Sequence, residues 1–202
     1  MITIVDYGLG NLNSIKNMFR FIGVESEIVS DPNIIDNAEK LLLPGVGAFD
    51  AAMSKLNETN LIPVLNKKAL EDKIPVLGIC LGMQLLTNGS DEGKLPGLGW
   101  INADTIRFQF DTGEKVPHMG WNEVQQASDS KLTVDLPTPS RYYFVHSYYV
   151  KVAKEQNSIL KTEYGGLSFD SGIQNSNIMG TQFHPEKSHK FGMKLLSNFA
   201  AI

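Results

Sequence analysis

Short apolar runs that end abruptly in glycine-bearing loops recur through the first half of the chain, and they constrain the fold more than any other feature. Ile2 to Val5 stops at Asp6-Tyr7-Gly8-Leu9-Gly10, Leu41-Leu42-Leu43 stops at Pro44-Gly45-Val46-Gly47, and Ile74 to Ile79 runs into Cys80-Leu81-Gly82. A run apolar at successive positions cannot have a wet face, so it reads as a strand covered on both sides in a parallel sheet. Between the runs, Leu12, Ile15, Met18, Phe19 and Ile22 recur at helical spacing, and Gly23 ends that helix before a second strand over Val24 to Val29. Helical patterns follow around Asp50 to Leu56 and Ile62 to Leu70, and again over Leu81 to Leu86. This β-α alternation predicts a doubly wound α/β fold, a mostly parallel sheet with helices on both faces. From Gly97 onward, β-rich pieces with turn signals (Trp100 to Phe110, Trp121 to Val124, Tyr142 to Val150, Ile159 to Tyr164, Ile178 to Phe183) predict an additional antiparallel β portion. A last helix is expected over Phe191 to Phe199.

Composition narrows the function. With 202 residues and 42% hydrophobic content, residues 1–202 are expected to form a single domain with a full core. A net charge of −4 offers no broad cationic face for nucleic acid. No apolar stretch reaches the roughly 18 to 20 residues of a membrane span, and Met1 to Val5 has no basic lead, so a cytoplasmic location is expected. One cysteine excludes an intrachain disulfide, and four histidines without metal-ligand spacing make a metal site unexpected. His118, His146 and His189 are therefore assigned structural or edge roles. Asn13 stands where a dinucleotide fingerprint beginning at Gly8-Leu9-Gly10 needs its third glycine, and no phosphate loop occurs, so no cofactor is expected.

Chemistry concentrates in three places. Gly78-Ile79-Cys80-Leu81-Gly82 sets the single cysteine between an apolar strand and a helix with glycine two residues to either side, the pattern of a nucleophile elbow. A helix N-terminus there favours thiolate over thiol. A lone cysteine is otherwise a small buried apolar residue; the paired glycines decide for the reactive reading. Gln182-Phe183-His184-Pro185-Glu186 follows a strand, and in extended backbone residues two apart share a face, so His184 and Glu186 point the same way. Together with Cys80 they make a Cys-His-Glu constellation for nucleophilic catalysis. Pro44-Gly45-Val46-Gly47 lies just past a buried strand, where open α/β sheets bind ligands, and Gly45, Val46 and Gly47 are expected to offer backbone N–H groups to an oxyanion.

Six blocks carry a resemblance over the whole chain: Asp6-Tyr7-Gly8-Leu9-Gly10-Asn11, Pro44 to Phe49, Gly78 to Gln84, Pro117-His118-Met119-Gly120-Trp121-Asn122, Tyr143 to Tyr148 and Gln182 to Ser188. The cysteine and His-Pro-Glu blocks resemble class I, triad-type glutamine amidotransferases, with their flavodoxin-like sheet. The Pro117 and Tyr143 blocks narrow this to the glutaminase subunits of imidazole glycerol phosphate synthase. The resemblance implies that Cys80 attacks the side-chain amide of L-glutamine to form a γ-glutamyl thioester, while His184 shuttles protons and Glu186 holds the histidine. It further implies that Gly47, Gln84, Glu92, Ser147 and Tyr148 line the glutamine pocket, and that Asn11, Trp121, Tyr143 and Lys187 face a partner. That partner is implied to be a (β/α)8 barrel cyclase in a heterodimer, which takes the ammonia to make imidazole glycerol phosphate in histidine biosynthesis. A related destination is a sugar-modifying synthetase of surface-polysaccharide pathways. A cysteine peptidase or deglycase on the same scaffold is disfavoured by Glu186 and the glycine loop, and a binding module that has lost catalysis by the complete triad.

Overall fold

The computed structural model describes residues 1–111 and 113–202. Its first half runs β1 (Ile2–Val5), α1 (Leu12–Phe21), β2 (Ser26–Val29), α2 (Pro32–Ile35), β3 (Leu41–Leu43), α3 (Phe49–Glu58), α4 (Ile62–Asn66), β4 (Val76–Ile79) and α5 (Leu81–Leu85). The second half adds β5 (Ala103–Arg107), β6 (His118–Gln126), β7 (Ser140–His146), β8 (Tyr148–Val152), β9 (Ser158–Tyr164), β10 (Leu167–Asn175), β11 (Ile178–Thr181) and α6 (His189–Ala201). Strand order is β2-β1-β3-β4-β11-β10-β9-β6-β7, with β8 pairing β10 and β5 off this path. From β2 through β4 to β11 neighbours are parallel, and beyond β11 they are antiparallel. The doubly wound expectation and the antiparallel portion both appear, joined at β11.

The continuous apolar runs have the predicted cause. Ile2 and Ile4 of β1, Leu42 of β3 and Leu77 of β4 pack with Ile15 and Phe19 of α1 and with Leu195, Leu196 and Phe199 of α6. Val5, Leu41, Leu43 and Val76 point to the opposite face, against Phe49, Ala52, Met53 and Leu56 of α3 and Leu65 of α4. Alternate residues of each strand thus enter two different cores, and the one polar side chain on these three strands, Thr3, is itself buried.

Four segments depart from expectation. The helix expected over Ile62 to Leu70 is α4 followed by a wide π-helical turn at Lys67–Glu71. The strand expected from Ile74 starts at Val76, because the Ile74 carbonyl accepts from Asn177 Nδ2 at 2.8 Å. Tyr142 to Val150 is two strands, β7 and β8, broken at Ser147. The pattern gave no sign of β10. Its centre is Asp170-Ser171-Gly172, where a bulge interrupts the β9 pairing and Asp170 is buried, accepting from Val152 N at 2.9 Å and pairing with Lys161 at 3.2 Å. Burial of these polar residues hides the strand from any hydrophobic alternation.

Candidate active site

Cys80 stands where β4 turns into α5, with φ +54° and ψ −110°, a conformation that costs an L-residue about 1 to 3 kcal/mol. The surroundings force it. A Cβ at Gly78 would lie 2.6 Å from the Gly82 carbonyl oxygen, and a Cβ at Gly82 would lie 1.9 Å from that of Leu43. Strand and helix therefore touch backbone to backbone on both sides of the cysteine, which needs glycine at both places. Cys80 N donates to Thr181 O at 2.8 Å, tying the elbow to β11.

His184 and Glu186 occupy the short 3-10 turn after β11. His184 Nδ1 lies 2.8 Å from Glu186 Oε1, and both side chains are only 2% exposed. The carboxylate can only accept, so Nδ1 carries a proton and donates it, and Nε2 is the ring nitrogen left to exchange a proton with a substrate. Nε2 is buried without a hydrogen-bond partner among the described residues. Burial opposes charge on this imidazole, but the Cys80 sulfur and the Glu186 carboxylate outweigh it and push its pKa up to about 10. The turn itself is pinned to β7: His184 N donates to Tyr143 O at 2.9 Å, Tyr143 N donates to Ser188 Oγ at 3.0 Å, and Ser188 Oγ donates to His184 O at 2.6 Å.

Cys80 and His184 share one cleft of about 330 Å3 with Val46, Gly47, Gln84, Glu92, Pro117, Val145, His146, Ser147 and Tyr148. All five expected glutamine-pocket residues line it. Gly47 has φ +113°, a backbone position open to glycine, whereas Gly45 does not reach the cleft. Gly45 is a packing residue instead: a Cβ there would sit 2.7 Å from the Tyr7 hydroxyl and 2.9 Å from Leu81 Cβ. Tyr7 is buried and donates to Pro44 O, fastening the loop to the end of β1. Glu92 reaches over from the loop after α5, accepting from Phe49 N at 2.9 Å and so capping α3. Asp50 holds the same loop through Lys94 N and Leu95 N, both within 3.0 Å.

A family model described as glutamine amidotransferase class-I matches residues 3–202. The chain belongs to the class I glutamine amidotransferases. This amidotransferase is 55% identical over 199 residues, 98% of each chain, to the protein named imidazole glycerol phosphate synthase subunit HisH 2 of Methanococcus maripaludis. It is 45% identical, over the full length of both chains, to the protein of the same name from Pseudomonas aeruginosa. Solved structures share its fold at low identity: one titled as a glutamine amidotransferase superposes with a TM-score of 0.77 at 16% identity over all of both chains. Another, titled PurLQS from Thermotoga maritima, gives 0.73 at 19% identity, covering 99% of this chain and 97% of that one.

The expected partner-facing residues of the amidotransferase divide into two places. Trp121, 41% exposed, lies with its ring 6.4 Å from Tyr143, and Lys187 Nζ sits 5.7 Å over the Tyr143 ring. Asn11 caps α1, accepting from Ser14 N at 3.4 Å, in the loop whose Gly10 approaches Pro44 and Gly45. The histidines assigned structural roles do more than pack. His146 lines the cleft, and it accepts at Nε2 from His118 Nδ1 at 2.9 Å while its own Nδ1 donates to Tyr148 O at 2.7 Å. Burial holds His118 down to about 4; it also holds His146 down to about 3, aided by His118 and His184 and opposed by the Tyr148 carbonyl. His189 stacks on Trp121 with rings 5.6 Å apart and nearly parallel. Sequence reasoning missed Tyr7, His146 and Gln182, the last wholly buried with Nε2 3.7 Å from Cys80 Sγ.

Proposed function

We propose that residues 1–202 act as one glutaminase unit of an imidazole glycerol phosphate synthase, hydrolysing L-glutamine and passing the ammonia to a synthase partner. The observation that carries this is the shared cleft, in which a strained cysteine and the unpartnered Nε2 of a carboxylate-held histidine face the same space. Cys80 Sγ attacks the side-chain carbonyl carbon of glutamine, and backbone N–H groups of the Val46-Gly47 loop take the oxyanion. His184 Nε2–H gives its proton to the amide nitrogen as the C–N bond breaks, so neutral ammonia leaves and a γ-glutamyl thioester remains. Water then loses a proton to Nε2 and attacks that thioester; the C–S bond breaks, and glutamate departs with the thiolate and imidazolium restored. Glu186 keeps Nδ1 protonated throughout and offsets the imidazolium charge. Gln84, Glu92, Ser147 and Tyr148 hold the amino-acid end of the substrate.

The names of the relatives at 45% to 55% identity favour the histidine pathway over a polysaccharide one. On this reading the partner is a (β/α)8 barrel cyclase forming a heterodimer, with Asn11, Trp121, Tyr143 and Lys187 on the face toward it, and the reaction takes place in the cytoplasm. No helix among the described residues is long and apolar enough to cross a membrane. The experiment is glutamate release by the purified chain, alone and with a cyclase subunit and its nucleotide ligand. A large rise on adding both is expected; no rise in a demonstrated complex, with activation by a sugar-pathway synthetase instead, would overturn the pathway.

A further inference from the structure

The Tyr148 carbonyl, at the start of β8, can only accept hydrogen bonds. It takes one from His146 Nδ1 at 2.7 Å and one from Gln84 Nε2 at 3.4 Å. That contact fixes which way the Gln84 amide points, because reversal would set its oxygen against another oxygen. The same Gln84 Nε2 donates to Gln182 Oε1 at 3.1 Å, which in turn fixes Gln182. With its oxygen committed to Gln84, Gln182 presents Nε2 to Cys80 Sγ at 3.7 Å. Beyond the half-buried Tyr148 the links are buried: Gln182 is 0%, Gln84 4% and Cys80 7% exposed. Gln182 does not line the glutamine cleft, so it meets the sulfur from beneath and not from the substrate side. Its backbone is anchored as well, N donating to Ser171 O at 2.9 Å.

We infer that Gln182 is a further catalytic residue, an amide donor to the Cys80 sulfur whose direction is enforced by the ladder from the Tyr148 carbonyl through Gln84. The inference rests on Cys80 being the glutaminase nucleophile. Sulfur carries negative charge before attack and again as the thioester breaks, so a fixed donor beneath it assists both half-reactions. A buried amide already aimed at the charge needs no reorganisation when the charge forms. Donation to an ionised acceptor is roughly twice as strong as a neutral bond, so the amide favours thiolate over thiol.

The test uses Gln182→Met, which keeps length and removes the donor, and reads the rate of alkylation by iodoacetamide against pH in the full chain without glutamine. The single cysteine makes the signal specific. The half-maximal pH of alkylation is expected to rise by about one unit, and kcat/KM for glutamine to fall about tenfold with KM little changed. An unchanged alkylation profile in a variant that melts like the parent overturns the inference. Should the variant not fold, side-chain amide NMR of the parent decides: the Gln182 Nε2 protons must titrate with the alkylation midpoint and stop doing so in Cys80→Ala, and a flat response overturns the proposal. Alkylation requires no substrate. A parent that alkylates normally yet hydrolyses no glutamine sinks the glutaminase reading alone, whereas an active parent with an indifferent Gln182→Met sinks the donor alone.

Discussion

Cys80 holds a backbone conformation that suits glycine and bears a side chain that glycine lacks, so stability and chemistry compete at one residue. Cys80→Ala keeps the strained φ of +54° and removes the sulfur; glutamine hydrolysis is expected to vanish with the melting temperature near that of the parent. Cys80→Gly relieves the strain, and it should melt above Cys80→Ala by the equivalent of about 1 kcal/mol. Equal melting points would mean that the elbow carries no strain worth relieving. A second expectation concerns Glu186, whose carboxylate helps to raise the His184 pKa. Glu186→Gln leaves an acceptor oxygen but no charge, so the high-pH limb of the kcat/KM profile should move down and the maximum fall by roughly tenfold or more. A limb that stays in place would assign it to another group. These residues were legible because glycine spacing and the two-residue face rule act locally. The same face rule reaches one step back from His184 to Gln182, yet a glutamine beside a strand carries no chemical signal until its partner across the sheet is known.

At the scale of elements, α6 controls the triad without contributing to it. Gly192 in its first turn lies so close to the His-Pro-Glu turn that a Cβ would come within 1.7 Å of the Pro185 carbonyl oxygen, while Gly192 N donates to Ser188 O at 3.2 Å. Gly192→Ala must push α6 away from residues 184–188, and a loss of about 1 to 3 kcal/mol in stability is expected, accompanied by lower kcat as the His184–Glu186 bond is displaced. Denaturant titration together with the glutaminase assay checks it; full activity with full stability would show that the turn shifts freely. The sequence told where the parallel strands and long helices run, since their apolar periodicity is dense. It told less about the antiparallel half. The break at Ser147 that turns Ser147 and Tyr148 into the cleft sits inside a β-rich run with no proline or glycine to mark it, and β10 carries its polar residues inward. Gly45 illustrates a related limit: a loop glycine kept for close packing and one kept for an open backbone look alike until the neighbours are in place.

For the whole molecule, the seam between the two kinds of sheet is where the site and a buried pair of imidazoles meet. His118 and His146 lie at paired positions of β6 and β7, bonded to each other, and both are neutral in the folded protein. Their pKa values, lowered to about 4 and about 3, lie below the ordinary 6.5 that they regain on unfolding. Between these limits the unfolded chain binds more protons than the folded one, so stability rises with pH there. What the pair contributes is complete above pH 6.5 and is lost progressively as pH falls through about 4 and about 3. His184 works in the opposite sense. Its pKa is raised to about 10, so its contribution is complete below 6.5 and disappears as pH climbs through 10. Urea midpoints measured across pH should therefore peak near 6.5, with an acid slope approaching about two protons per molecule before the carboxylates titrate and a shallower alkaline slope of about one. His118→Gln removes one imidazole and its titration, and the acid slope should fall to about one proton even if the maximum is lower. An acid flank unchanged in that variant would place the proton uptake elsewhere, and would mean that the imidazole pair is charged within the fold.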